Sequence, residues 1–107
     1  MSLDVALVKL QPAEVFDFNI THNLTPMAEA AGLYKAMWRP EELGIKLAGD
    51  LIPILAQGLL LLEDHPEKFI ALNPENGWGD YEGFFRCVRR YLAACKDHPD
   101  AEIRVCR

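Results

Sequence analysis

From Leu51 to Leu62 only one side chain, that of Gln57, falls outside the apolar, glycine and proline classes. Nothing else in the chain narrows the fold as much. A helix built from this run has almost no wet face, so it needs burial on more than one side. It is either the central helix of a small domain or one side of a homodimer interface. Its twelve residues fall short of the roughly 20 that cross a bilayer, and no longer apolar run exists. Taking Asp50 as N-cap places Pro53 in the first turn, where a missing N–H has no helical partner to lose. Asp64-His65-Pro66 then stops the helix.

The flanking segments supply what such a helix packs against. Asp4 to Leu10, rich in Val and Leu, reads as a buried strand, and Gln11-Pro12-Ala13-Glu14 as a turn. Phe16, Phe18 and Ile20 then alternate with Asp17, Asn19 and Thr21, the period of a half-buried strand closing a hairpin. Thr25-Pro26 is a helix start, with a hydroxyl to accept an early N–H and a ring that presets φ. That helix carries Leu33, Ala36 and Met37 on one side, is capped or interrupted at Gly32, and ends at Arg39-Pro40. Pro40-Glu41-Glu42 opens a short helical turn, and Pro66-Glu67 another through Phe69, Ile70 and Leu72.

Asn73 to Gly79 is dense in turn residues and is expected to be a loop. The last helix runs from about Asp80, with Tyr81, Phe84, Phe85, Val88, Leu92 and Cys95 on one face and Glu82, Arg86, Arg90 and Asp97 away from it. Asp97-His98-Pro99-Asp100 stops it, and Glu102 to Cys106 alternates as a closing strand. The first and last strands should be neighbours, since each would otherwise leave backbone groups unpaired beside a buried face. The expected fold is α+β and helix-rich, with three or four helices packed on a small two- or three-stranded sheet that pairs the N- and C-terminal strands. At 107 residues, half of them hydrophobic, residues 1–107 are expected to form a single globular domain.

Charge and cysteine usage remove several function classes. With 16 acidic and 11 basic residues the formal charge is −5, so the overall field repels nucleic acid and anionic membrane, and neither is an expected partner. Met1-Ser2-Leu3-Asp4 lacks the basic and apolar regions of a secretory signal, which makes a cytoplasmic location the expectation. Cys87, Cys95 and Cys106 are odd in number and form no C-x-x-C pair, arguing against a disulfide framework, zinc or dithiol chemistry. No phosphate-binding, dinucleotide-binding, nucleophile-elbow or H-E-x-x-H motif is present, so no cofactor and no metal are implied.

Four segments carry groups capable of chemistry. Asp17-x-Asn19-x-Thr21-x-Asn23 resembles the opening of a calcium loop, but His22 and Ala28 stand where that loop needs Gly and Glu; a polar strand face with an Asx-rich turn explains it. His22 is a candidate general base if Asp17 orients it, in a small-enzyme pocket that also draws on Asn19, Arg39, Asp50 and Trp78. The plainer role for His22 is a hydrogen-bonded structural histidine on the side of Phe16, Phe18 and Ile20. Arg86, Arg89 and Arg90 make a basic helix surface, with Glu82–Arg86 and Asp97–Arg90 as ordinary pairs.

The fourth segment is Asn73 to Tyr81, where Trp78 contributes more apolar area than a loop needs. Either the indole folds back over the core, or it lines a binding site together with the Thr21 to Leu24 turn. Both segments end at helix starts, whose N–H groups favour a planar or anionic small ligand over a cation. The residues assigned to such a site are Trp78, Thr21, His22, Asn23, Asn76 and Arg39.

The strings Thr21-His22-Asn23-Leu24, Trp38-Arg39-Pro40 and Asn73-Pro74-Glu75-Asn76-Gly77-Trp78-Gly79-Asp80-Tyr81 together resemble a small family of uncharacterised bacterial proteins of about this length. The resemblance covers nearly the whole chain and implies no activity, substrate or cofactor. In function, a noncatalytic protein-interaction or small-ligand-binding role is the first expectation, since no catalytic motif stands out and the apolar Leu51 to Leu62 helix gives a partner something to bury against. A small enzyme built on His22 and an aspartate, Asp17 or Asp50, is the alternative from another class. A toxin-neutralising or phage-related accessory role fits size and acidity without a motif behind it.

Overall fold

Alternation of period two builds the sheet. In the computed structural model, which describes residues 1–9 and 13–107, β1 (Ser2–Lys9) turns Leu3, Val5 and Leu7 inward and Asp4 outward. β2 (Ala13–Thr21) pairs antiparallel on one side, with Leu3 opposite Ile20, Val5 opposite Phe18 and Leu7 opposite Phe16. β3 (Glu102–Cys106) pairs antiparallel on the other, with Val5 opposite Val105 and Leu7 opposite Ile103. The order β2-β1-β3 makes the first strand central, and the N- and C-terminal strands are neighbours as the sequence predicts. Of the anticipated turn, Ala13 and Glu14 belong to β2, while Gln11 and Pro12, together with Leu10 at the end of the anticipated first strand, lie outside the described residues.

One face of this sheet is apolar and covered; the other carries Asp4, Asp17, Asn19, Arg104 and Cys106 and is open. An antiparallel sheet tolerates that arrangement because its strands alternate in polarity. Among the described residues five α-helices accompany the sheet: α1 (Thr25–Ala30), α2 (Tyr34–Trp38), α3 (Ile52–Asp64), α4 (Pro66–Ile70) and α5 (Tyr81–Asp97). The count reaches five because the helix begun near Pro26 is divided at Gly32, an interruption the sequence left open, while the break at His65-Pro66 falls where it was expected. None is long and apolar enough to cross a membrane.

α5 is the organising helix. It buries Phe84, Val88, Tyr91, Leu92, Ala94 and Cys95, and the Tyr91 ring lies against Phe16 and Phe18 of β2 at centroid distances of 6.1 and 4.9 Å. The apolar run, expected to be the central helix or one side of a subunit interface, packs against α5. α3 buries Leu55, Gly58 and Leu62 but leaves Leu60 54% exposed, with Ile54 and Leu61 only half-buried. Composition called for burial on more than one side, and within the single chain part of the helix is left uncovered. The close approach depends on Gly58, where any Cβ would overlap the Leu33 side chain.

Two anticipated caps are replaced by other contacts. Asp50 does not cap α3; it is exposed within a 3-10 helix, Ala48–Leu51, that precedes it, and Pro53 still falls in the first turn of α3. That 3-10 helix is held by distant backbone, the Ala48 and Gly49 N–H groups donating to Ala101 and Pro99 carbonyls at 2.9 Å. Thr25 does not cap α1 either. Its place is taken by a 3-10 helix, His22–Leu24, whose cap is Thr21.

Candidate functional site

The Thr21 to Leu24 turn is rigid for local reasons. Where β2 ends, the Thr21 hydroxyl accepts the Asn23 N–H at 3.3 Å, and buried Leu24 pins the far end of the turn. Between them His22 is half-buried, and its Nδ1 accepts the Trp38 indole N–H at 2.8 Å. A ring that accepts at Nδ1 carries its proton at Nε2, so the remaining imidazole nitrogen is a donor. Because the strand stops at Thr21, His22 no longer follows the alternation of Phe16, Phe18 and Ile20. Its burial comes from Trp38.

The Asn73 to Asp80 loop is equally fixed, by side chains that bond its own backbone. Asn76 Oδ1 accepts the Trp78 N–H at 3.0 Å, Asn73 Oδ1 accepts the Tyr81 N–H at 2.8 Å, and Asp80 Oδ1 accepts the Gly83 N–H at 2.7 Å. The Tyr81 hydroxyl donates to the Leu62 carbonyl at 2.7 Å, tying the start of α5 to the end of α3. Burial, with Glu63, Glu67 and Glu82 nearby, holds that phenol above its ordinary pKa, so it keeps the proton it donates. Gly79, at φ 97°, lies against the Thr21 methyl and Leu24 where a Cβ would stand only 2.8 and 3.0 Å from them. The loop is thereby pressed onto the turn.

Between loop and turn lies a concavity of about 680 Å3. Thr21, His22, Asn23, Asn76 and Trp78 all line it, so five of the six residues assigned to a binding site from the sequence are brought together. Trp78 is 70% exposed and does not fold back over the core. Asn19, named for the small-enzyme pocket, also lines it, and Ser2 and Met1, which were missed, complete the lining. Ser2 pairs with Thr21 across the strands, and only the register of β1 on β2 reveals it.

Arg39 is the one assigned binding residue that stands elsewhere. Its guanidinium donates to the Tyr34 hydroxyl at 3.1 Å and to Glu42 at 3.3 Å, and these partners raise its pKa further. The proposed catalytic carboxylates do not assemble. Asp17 points from the open sheet face, where its hydrogen bond and its charge raise the pKa of Glu14, and no hydrogen bond joins it to His22 among the described residues. Asp50 is on the Ala48–Leu51 turn, outside the concavity.

Part of what the helix starts could offer an anion is already engaged. The N–H groups of Asn23, Tyr81 and Gly83 are each taken by a side chain, and Asp80 brings its own negative charge. At Cys87 and Cys95 burial disfavours thiol chemistry, pushing each pKa up to about 12. On α5 the expected Glu82–Arg86 and Asp97–Arg90 pairs are not formed among the described residues; Arg89 instead lies over the Phe85 ring at 5.8 Å. No group of three or more His, Cys, Asp or Glu among the described residues is arranged to hold a metal ion. Compared with protein-family models, with curated proteins and with solved structures, the chain matches none.

Proposed function

We propose that this chain is a noncatalytic binding protein whose recognition site is the concavity between Trp78 and the Thr21 to Leu24 turn. The observation that carries the reading is the state of Trp78. Its backbone is held by Asn76 and the flanking caps, yet its indole is left in solvent beside a wall of hydrogen-bonding side chains. At about 25 cal/mol per Å2, an indole left mostly exposed forgoes roughly 2–3 kcal/mol of burial. A fixed loop that forgoes this presents a surface for something else to cover. Catalysis is the weaker reading because His22 spends one nitrogen on Trp38 and has no carboxylate partner among the described residues.

A library of small metabolites and short peptides screened against wild type and Trp78→Ala tests the assignment. Ligands retained by the wild type should be lost by the variant while its melting curve is unchanged. Undiminished binding by a folded Trp78→Ala protein would place the site elsewhere.

A homodimer on the outer side of α3 is a second reading, favoured by Leu60, Ile54 and Leu61 and by two shallow, mainly apolar depressions of about 330 and 360 Å3 beside Ile54. Light scattering should then give about twice the 12.1 kDa chain mass at micromolar concentration. A value near the single-chain mass rejects it.

A further inference from the structure

We infer that the Trp78 concavity takes a neutral, polyhydroxylated ring, a pyranose or short uncharged oligosaccharide, stacked on the indole; this rests on the reading of that concavity as the binding site. The first support is the lack of charged side chains among the described lining residues. A quarter of the chain's residues are charged, yet none of the side chains lining this concavity is Lys, Arg, Asp or Glu. A phosphorylated or carboxylated ligand would meet no Lys or Arg side chain among the described lining residues, would find the Asn23, Tyr81 and Gly83 N–H groups already engaged, and would approach a protein of net charge −5.

The second support is the kind of hydrogen bonding on offer. Each sugar hydroxyl both donates and accepts, so a wall that recognises it must present both functions at fixed points. Here the orientations are set by bonds already made. Asn76 Oδ1 is engaged by the Trp78 N–H, leaving its NH2 to donate. Asn19 gives its NH2 to Ser2 Oγ at 2.9 Å and Asp4 Oδ1 at 2.7 Å, leaving its carbonyl oxygen to accept. His22 offers the Nε2 proton fixed by Trp38, and Asn23 offers a whole amide.

The third support is the single flat face. The partly positive axial C–H groups of a pyranose suit the negative face of an indole, and the ring's equatorial hydroxyls then reach sideways to the amide wall. A nucleobase is the other uncharged ligand with donors, acceptors and a flat surface. It is favoured where two aromatic planes sandwich it and cations meet its phosphates. The second ring in this lining, His22, is half-buried and tied to Trp38, which leaves Trp78 as a lone platform.

The test titrates the full chain with methyl glycosides of common neutral hexoses and their disaccharides, and in parallel with the four ribonucleosides, reading Trp emission and the Trp78 indole N–H resonance. At least one saccharide should shift both signals saturably. Trp78→Ala should weaken that saccharide by about tenfold or more, and Asn23→Ala by a smaller factor. Nucleosides that bind while saccharides do not would overturn the sugar assignment and leave the site standing. Saccharides that bind wild type and a folded Trp78→Ala protein equally would overturn the site as well. Silence from every saccharide at roughly 10 mM, where even a weak site of this kind is occupied, overturns the sugar assignment alone.

Discussion

The two tryptophans flank the same turn and have opposite fates. Trp38 is 1% exposed, stacks on Tyr34 at 5.8 Å, and gives its indole N–H to His22. Trp78 is 70% exposed, and the bonds around it grip its backbone while its ring makes no hydrogen bond among the described residues. Trp38 is a support from below, setting the orientation of His22. Trp78 is a wall from above, adding area to the concavity and little to the core. A side chain's type therefore says less about its role than whether its ring or its backbone is what the fold holds.

Substitutions separate the two roles, and the largest loss of stability belongs to Trp38. Trp38→Ala should cost about 3–5 kcal/mol in urea unfolding, a cavity in the middle of the core. Trp38→Phe keeps most of the area but leaves His22 Nδ1 without its donor, so about 1–3 kcal/mol should go. If Trp38→Phe is neutral, the His22 bond does not matter to the fold.

Gly79→Ala comes next. It forces a Cβ onto the Thr21 methyl at an unfavourable φ, and should cost about 1–2 kcal/mol while displacing Trp78 from the turn. Ligand affinity should fall by a larger factor than stability, whereas parallel losses would show that the loop serves folding. Trp78→Ala should change stability by no more than about 0.5 kcal/mol, as exposed substitutions do. A larger loss would make Trp78 part of the core after all and erase the contrast.

The smallest effect is a pH dependence on the Trp38 side. Arg107 donates to the Trp38 carbonyl at 2.8 Å and to both Glu41 oxygens at 3.0 Å. Burial works to raise the Glu41 pKa, but the Arg107 hydrogen bond, the backbone and the nearby arginine charges together hold it below the ordinary carboxylate value. A folded pKa below the unfolded one gives stability that is present above the unfolded value and lost as pH falls through the folded one. Glu41→Gln should therefore lower the melting temperature slightly at pH 7 and not at all at pH 2. Equal effects at both pH values would mean that the pair does not contribute.

How much of this was legible in the sequence depends on the range of the contacts involved. The Asn73 to Asp80 loop could be read because its bonds are short-range, Asn76 to Trp78 and Asp80 to Gly83, and turn residues advertise them. The alternating strands and the amphipathic α5 were legible for the same reason. Asp50 misled because the turn that contains it is fastened to Pro99 and Ala101, half the chain away. Arg39 misled because Tyr34 and Glu42, close by in sequence, outcompete the site for its guanidinium. Ser2 gave no sign, since its place beside Thr21 exists only once β1 has paired with β2. α3 was legible as something to bury, but the number of covered sides depended on the Gly58–Leu33 approach.

The most direct measurement is an amide and indole chemical-shift map of the 15N-labelled protein with the best ligand found by screening. The account predicts that the Trp78 indole N–H and the amides of residues 21–24 and 76–79 move together, with the open sheet face around Asp17 and Arg104 and the α3 surface around Ile54 and Leu61 still. Shifts centred on either of those surfaces, with the Trp78 indole unmoved, would contradict it.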